Sequence, residues 1–373
     1  MLNPNLESEQ VIDQFLTTKH GKTRYILNGT NLSAPTDHLI VFVCGISSHS
    51  YSFHFLVKAL MKQYESLRSS QQNIKYLRYD KYGRGKSSNP LDILHDGDLF
   101  VEQLYELIDG VELKPRRVEQ QNNSSITLKP RITIIGFSMG GAIATLFASK
   151  HSDLVDDLIL FSPAGAKWKL PFGSSLVKVS WLGSVVYGAI HNASTTEQKI
   201  STGLFNLNDE LVKERVKFAV EMKEKEDESS SQISSFVNSF TNFPLTAIED
   251  KIQHVGTKSH MKIMVIWALF DVTVPGDECL STYFTLLGEH PKSRFAIMNN
   301  TRHMFYMERE EDTAKLIYNF LNDSNDDGDV FERSSRALQN IQQQSANEKL
   351  MTSSDKIKLT YFTEHPVFKK FII

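Results

Sequence analysis

Six short apolar runs recur along the chain: HLIVFVCG (38–45), IKYLRYD (74–80), RITIIGFS (131–138), DLILFSPA (157–164), KIMVIWALFD (262–271) and RFAIMNN (294–300). They are rich in Ile and Val and mostly apolar at successive positions. That pattern predicts strands covered by helices on both faces, hence a parallel sheet. Helical patterns separate them, over 52–68, 98–112, 140–150, 278–288 and 309–322. Alternating strands and helices predict an α/β domain with a doubly wound, mostly parallel sheet. Ahead of the first run, 13–18 and 23–27 predict an antiparallel pair at a sheet edge.

The alternation fails between about 166 and 250. That stretch is helical and irregular, with aromatics at Trp168, Phe172, Trp181, Tyr187 and Phe205. An insertion at this point lies above the carboxyl ends of the strands, where open α/β sheets bind ligands. The expected division is a first core segment (1–165), a helical cap (166–250), a second core segment (251–322) and a polar linker with a C-terminal tail (323–373). Within the cap, the charged run KERVKFAVEMKEKEDESSSQ is expected to be a solvated face, and DESSSQISS (227–235) a loop. The last eighteen residues are too apolar for a free tail. They either pack back onto the domain, the favoured reading, or contact a partner or a membrane surface. No internal repeat is present.

Composition narrows the class of protein. With 373 residues, 40% of them hydrophobic, the chain is long enough for a substantial core. A net charge of −3 gives no global attraction to nucleic acid. Only two cysteines occur, Cys44 and Cys279, which excludes a disulfide framework and predicts a reducing compartment. The opening MLNPNLESEQVIDQF lacks a basic start followed by an apolar block, so no signal peptide is expected. No apolar run is long enough to cross a bilayer. The expectation is a cytoplasmic protein without a transmembrane segment. No His/Asp/Glu cluster has ligand spacing, so no metal is expected, and no cofactor either. GRGKS lacks the spacing of a phosphate-binding loop.

The chemistry concentrates on Ser138. Gly136-Phe137-Ser138-Met139-Gly140 reads G-x-S-x-G, after a predicted strand and before a predicted helix. The serine then occupies a sharp, strained turn that admits only small flanking residues, hence Gly136 and Gly140. The helix N-terminus favours negative charge developing there. A serine hydroxyl needs a base held by an acid, in chain order Ser, Asp/Glu, His. Asp271 and His303 both follow strands, on the same sheet edge as Ser138. Among twelve histidines, His254, His260 and His290 precede strands and lie at the wrong end. Asp277, the nearest rival acid, falls in the next helix. The expected oxyanion donors are the backbone N–H groups of Met139 and Ile46, with Gly45 permitting the turn before Ile46.

Together these residues resemble the α/β-hydrolase family over about residues 11–325. GFSMGG looks like its nucleophile elbow. YDKYGRGKSS looks like its D-x-x-G-x-G-x-S segment, carried by Asp80, Gly83, Gly85 and Ser87. CGISSHS looks like the oxyanion segment, usually His-Gly; here Cys44 replaces the histidine, removing a side chain that often buttresses the loop. The His49-Ser50 pair is similar to monoacylglycerol lipases, and RHMFYMEREED to the histidine loop of esterases and C–C hydrolases. The resemblance implies a serine hydrolase acting through an acyl-enzyme on a carboxylic ester, lipid-like or otherwise apolar. Thioester, lactone or C–C hydrolysis, a perhydrolase activity and a non-catalytic binding protein of the same fold stand as alternatives.

Overall fold

The computed structural model describes residues 12–66, 72–111, 116–119, 125–169, 194–226 and 231–322. The first apolar run shows how the sheet is built. Leu39, Val41 and Val43 enter one apolar cluster, while Ile40, Phe42 and Cys44 enter another. Successive side chains of a strand point to opposite faces, so both faces of this strand are covered. Ile263, Val265 and Trp267 divide from Met264, Ile266 and Ala268 in the same way.

In chain order the elements are β1 (Gln14–Thr18), β2 (Gly21–Gly29), β3 (His38–Val43), a 3₁₀ turn at Ser50–Phe53, α1 (His54–Ser66), β4 (Ile74–Tyr79) and α2 (Gly97–Gly110). Then come β5 (Arg116–Glu119), β6 (Ser125–Leu128), β7 (Arg131–Phe137), α3 (Met139–Lys150) and β8 (Asp157–Phe161). The irregular region contributes α4 (Thr196–Ser201), α5 (Glu210–Glu226) and α6 (Ser231–Asn242). The chain closes with α7 (Glu249–Gly256), β9 (Lys262–Ala268), α8 (Gly276–Leu287), β10 (Ser293–Met298), α9 (Phe305–Glu308) and α10 (Glu310–Asn322).

Eight strands form one sheet in the order β1-β2-β4-β3-β7-β8-β9-β10. The β1–β2 and β2–β4 pairs are antiparallel, and every pair from β3 to β10 is parallel. The carboxyl ends of the parallel strands therefore share one edge. This is the doubly wound α/β sheet that the periodicity predicts, with the antiparallel edge in place. The strands end earlier than the apolar runs do. Leu269 and Phe270 are fully buried beyond β9, because the loops leaving the sheet are themselves packed.

Three features differ from expectation. A separate two-stranded hairpin, β5–β6, was not foreseen. The serine-rich segment expected as a loop is helical from Ser231, the first residue of α6. The small side chain of Ser235 allows close approach: a Cβ at Gly83 would stand 1.7 Å from Ser235 Oγ. The charged run is also more than a solvated face. Arg215 of α5 stacks 3.8 Å over the Phe55 ring and pairs with Glu310 at 2.7 Å. Phe172, Trp181, Tyr187 and the tail at 323–373 lie outside the described residues. Among the described residues, no helix is long and apolar enough to cross a membrane.

Candidate active site

Ser138 sits between β7 and α3 with φ 56° and ψ −122°, a conformation that costs a non-glycine residue about 1–3 kcal/mol. Backbone hydrogen bonds hold it there. Its N–H donates to Phe161 O at 2.9 Å, and its carbonyl accepts from Gly141 N at 2.9 Å and Ala164 N at 3.0 Å. The surrounding glycines are steric requirements. A Cβ at Gly136 would lie 2.4 Å from Gly140 O, and one at Gly140 would lie 2.1 Å from Val43 O. Replacing Gly140 by Ala therefore forces α3 away from the end of β3. We expect a loss of about 1–3 kcal/mol or more, read as a lower Tm by thermal denaturation, because the opposing atom is backbone.

Asp271 lies three residues past β9 and is fully buried. One carboxylate oxygen, Oδ1, accepts from Thr273 N at 2.8 Å and Val274 N at 2.9 Å. The other, Oδ2, meets His303 Nδ1 at 2.7 Å. Leu269 N donates to Met298 O and Phe270 N to Thr301 O, which joins the loop of Asp271 to that of His303. The His303 ring packs 4.6 Å from the ring of Phe137, the residue preceding Ser138. Sequence-predicted Asp271 and His303 are thus joined directly, and Ser138 lies at the same sheet edge next to Phe137, with Ser138 and His303 only 8% and 6% exposed.

The segment after β3 closes over the same place. A Cβ at Gly45 would touch the Phe137 ring at 3.1 Å and Ser138 Cβ at 3.4 Å. Ile46, the residue after Gly45, and Met139, the first residue of α3, are thus the chain neighbours of the two backbone positions that meet at this point. Burial pushes the Cys44 thiol up to about 11, so it is no rival nucleophile. The motif residues support this loop from below. Asp80 accepts from Ser50 N at 2.8 Å and Lys86 N at 3.1 Å, and Ser87 Oγ donates to Asp80 O at 2.7 Å. Gly85, at φ 51°, leaves the space that Asp80 fills.

Sequence reasoning missed several contributors. Lys81 and Arg84 reach the carbonyls of the loop at 44–48. Arg24 is buried and pairs with Asp80 at 3.1 Å and Glu226 at 3.4 Å. Among the described residues His49, Asp80 and Glu226 form a group with metal-ligating side chains, and the Arg24 guanidinium already supplies positive charge there. Burial pushes Glu226 up to about 7.

Residues 203–206 brace the histidine loop. Met304 N donates to Gly203 O at 2.9 Å, and the Phe205 ring stacks 4.9 Å from Phe270. Glu308 accepts from Phe205 N, from Asn206 N at 3.1 Å and from Arg302 N at 3.1 Å. A cavity of about 410 Å³ opens beside this contact, lined by Asp209, Glu308, Glu310 and Asp312 among others; it does not include Ser138. Burial outweighs the three N–H donors and pushes Glu308 up to about 7 from its ordinary 4.5. A carboxyl raised in the folded state stabilises most below pH 4.5, and that contribution is lost as pH rises through about 7. Glu308→Gln removes this ionisation. Across that window wild type should therefore lose about 2 kcal/mol relative to Glu308→Gln, allowing for partial exposure. Denaturant titrations at pH 4.5 and 7.5 measure the difference.

Comparisons with known proteins agree with this architecture. A family model described as serine aminopeptidase, S33, matches residues 34–222, slightly more than half the chain. No curated protein sequence matches the chain. An esterase from Exiguobacterium antarcticum superposes with a TM-score of 0.61 at 14% identity, covering 84% of this chain and 100% of the esterase. An α/β hydrolase from a Medee basin deep-sea metagenome superposes with a TM-score of 0.62 at 15% identity, covering 85% of this chain and 100% of that one. A meta-cleavage product hydrolase from Pseudomonas fluorescens gives 0.57 at 17% identity, covering 84% and 98%.

Proposed function

The chain belongs to the α/β-hydrolase superfamily, and from that membership we propose that it is a serine hydrolase of carboxylic esters with an apolar, lipid-like acyl group. The observation that carries this reading is the 2.7 Å hydrogen bond between His303 and buried Asp271, beside a strained serine at the start of a helix. Ser138 attacks the ester carbonyl, and His303 takes its proton through Nε2. Asp271 keeps the other imidazole proton on Nδ1 and stabilises the imidazolium. The tetrahedral oxyanion is held by the N–H groups of Met139 and Ile46. His303 then protonates the leaving alcohol. Water, activated by the same histidine, releases the acid from the acyl-enzyme and regenerates Ser138.

Residues 166–250 serve as the cap over this site. The grip of Gly203–Asn206 on the loops of Asp271 and His303 supports that assignment. An apolar acyl chain is supported by Val272, which stays 48% exposed next to Asp271. The test is a panel of p-nitrophenyl esters from two to sixteen carbons, with a lactone and a dienone that requires C–C cleavage alongside. The expected result is kcat/KM rising with acyl length and little turnover of the other two. A preference for the lactone or the C–C substrate would replace the ester reading. No turnover of any compound would favour a binding protein.

A further inference from the structure

Lys81 follows Asp80 at the end of β4 and is almost completely buried. Its ammonium does not pair with a carboxylate at hydrogen-bond distance. It points instead at backbone oxygens: Gly45 O at 2.7 Å, Cys44 O at 3.0 Å and Ser48 O at 3.5 Å. Arg84, three residues on, donates through Nε to Ile46 O at 2.6 Å. Two cations from one loop thus hold four carbonyls of the segment that passes over Ser138.

The peptide joining Gly45 to Ile46 is planar and trans, since there is no cis peptide bond among the described residues. In a trans peptide the C=O and the N–H point in opposite directions. Fixing Gly45 O on Lys81 therefore fixes the direction of the Ile46 N–H, away from Lys81. A positive charge on the carbonyl also draws electron density from the nitrogen and makes the N–H a stronger donor. We propose that Lys81 is a positioning residue for the oxyanion hole, setting and polarising the Ile46 N–H through the Gly45 carbonyl. It supplies the support that Cys44, in place of a larger polar side chain, does not give. This inference rests on Ser138 being the nucleophile.

Protonation matters to the geometry. An ammonium offers three N–H bonds to three carbonyls; a neutral amine offers two and turns a lone pair on the third. Burial lowers Lys81 to about 8, and the ionisable groups facing it are Cys44, Arg84 and Asp80. The hole is then intact below pH 8 and weakened above it.

The experiment compares wild type with Lys81→Met, which keeps most of the length of the side chain and removes its charge. Steady-state kinetics on one ester and the rate of inactivation by a fluorophosphonate, whose phosphoryl oxygen enters the same hole, are measured from pH 6 to 10. Losing one oxyanion donor costs about 10²–10³ in kcat. Lys81→Met should lose kcat toward that range, with KM changed less than about threefold, and inactivation should slow in proportion. The wild-type fall in kcat above pH 8 should be absent from the variant. Unchanged kcat, or a rise in KM that accounts for the whole loss, overturns the proposal. If Lys81→Met does not fold, the wild-type profile decides alone: a kcat flat from pH 7 to 10 overturns it. Failure of wild type to react with the fluorophosphonate would refute the nucleophile itself, a result distinct from any of these.

Discussion

Ser138→Ala should lower ester hydrolysis by roughly 10⁴–10⁶-fold while leaving the fold intact. In the proposed mechanism the effect is large because the hydroxyl oxygen forms the covalent bond and no other side chain can replace it. Cys44, close in sequence to the oxyanion turn, is buried with its thiol raised to about 11, so it cannot take over. The fold should survive because Ser138 is held through its backbone, by the bonds to Phe161, Gly141 and Ala164. Alanine tolerates the positive φ no worse than serine does. Matching circular dichroism and Tm, with hydrolysis reduced to background, is the expected outcome. Residual turnover within tenfold of wild type would mean that the reaction does not pass through this serine.

Asp271→Asn should cost about 10⁴ in kcat with little change in KM. The reason lies in the two oxygens of Asp271. Oδ1 accepts two backbone N–H bonds, from Thr273 and Val274, in a fully buried site. An asparagine must keep its carbonyl oxygen there, because turning its NH₂ onto two donors leaves both unsatisfied. The NH₂ then faces His303 Nδ1, which has to accept. The imidazole proton moves to Nε2, and Nε2 can no longer take the proton of Ser138. The hydrogen bond survives with its direction reversed, so structure and substrate binding change little. Stopped-flow acylation separates this effect from binding. An acylation rate within tenfold of wild type would show that Asp271 does not set the tautomer.

Much of this was legible in the chain, for physical reasons. Strands such as β7 (Arg131–Phe137) are mostly apolar at successive positions because both faces are covered. The elbow is legible because a strained serine excludes side chains around it, so Gly136 and Gly140 appear at fixed offsets. Asp271 and His303 stand out as candidates because parallel strands bring their carboxyl ends to one edge. What stayed hidden depends on backbone atoms or on packing across the fold. Lys81 and Arg84 act on carbonyls, which carry no sequence signal, and within DKYGRGK they read as ordinary charges. Glu308 likewise works through N–H groups more than a hundred residues away in sequence. The segment 231–235 read as a loop because serine favours turns; it is instead the start of a helix, and there the small side chain of Ser235 is buried against Gly83.

The most direct measurement is peptide mapping by mass spectrometry after treating the folded chain with a fluorophosphonate. Ester hydrolysis through Ser138 requires one adduct per chain, on the peptide containing GFSMGG, absent from Ser138→Ala and slowed in His303→Ala. An unmodified chain, or an adduct on any other serine, would contradict it.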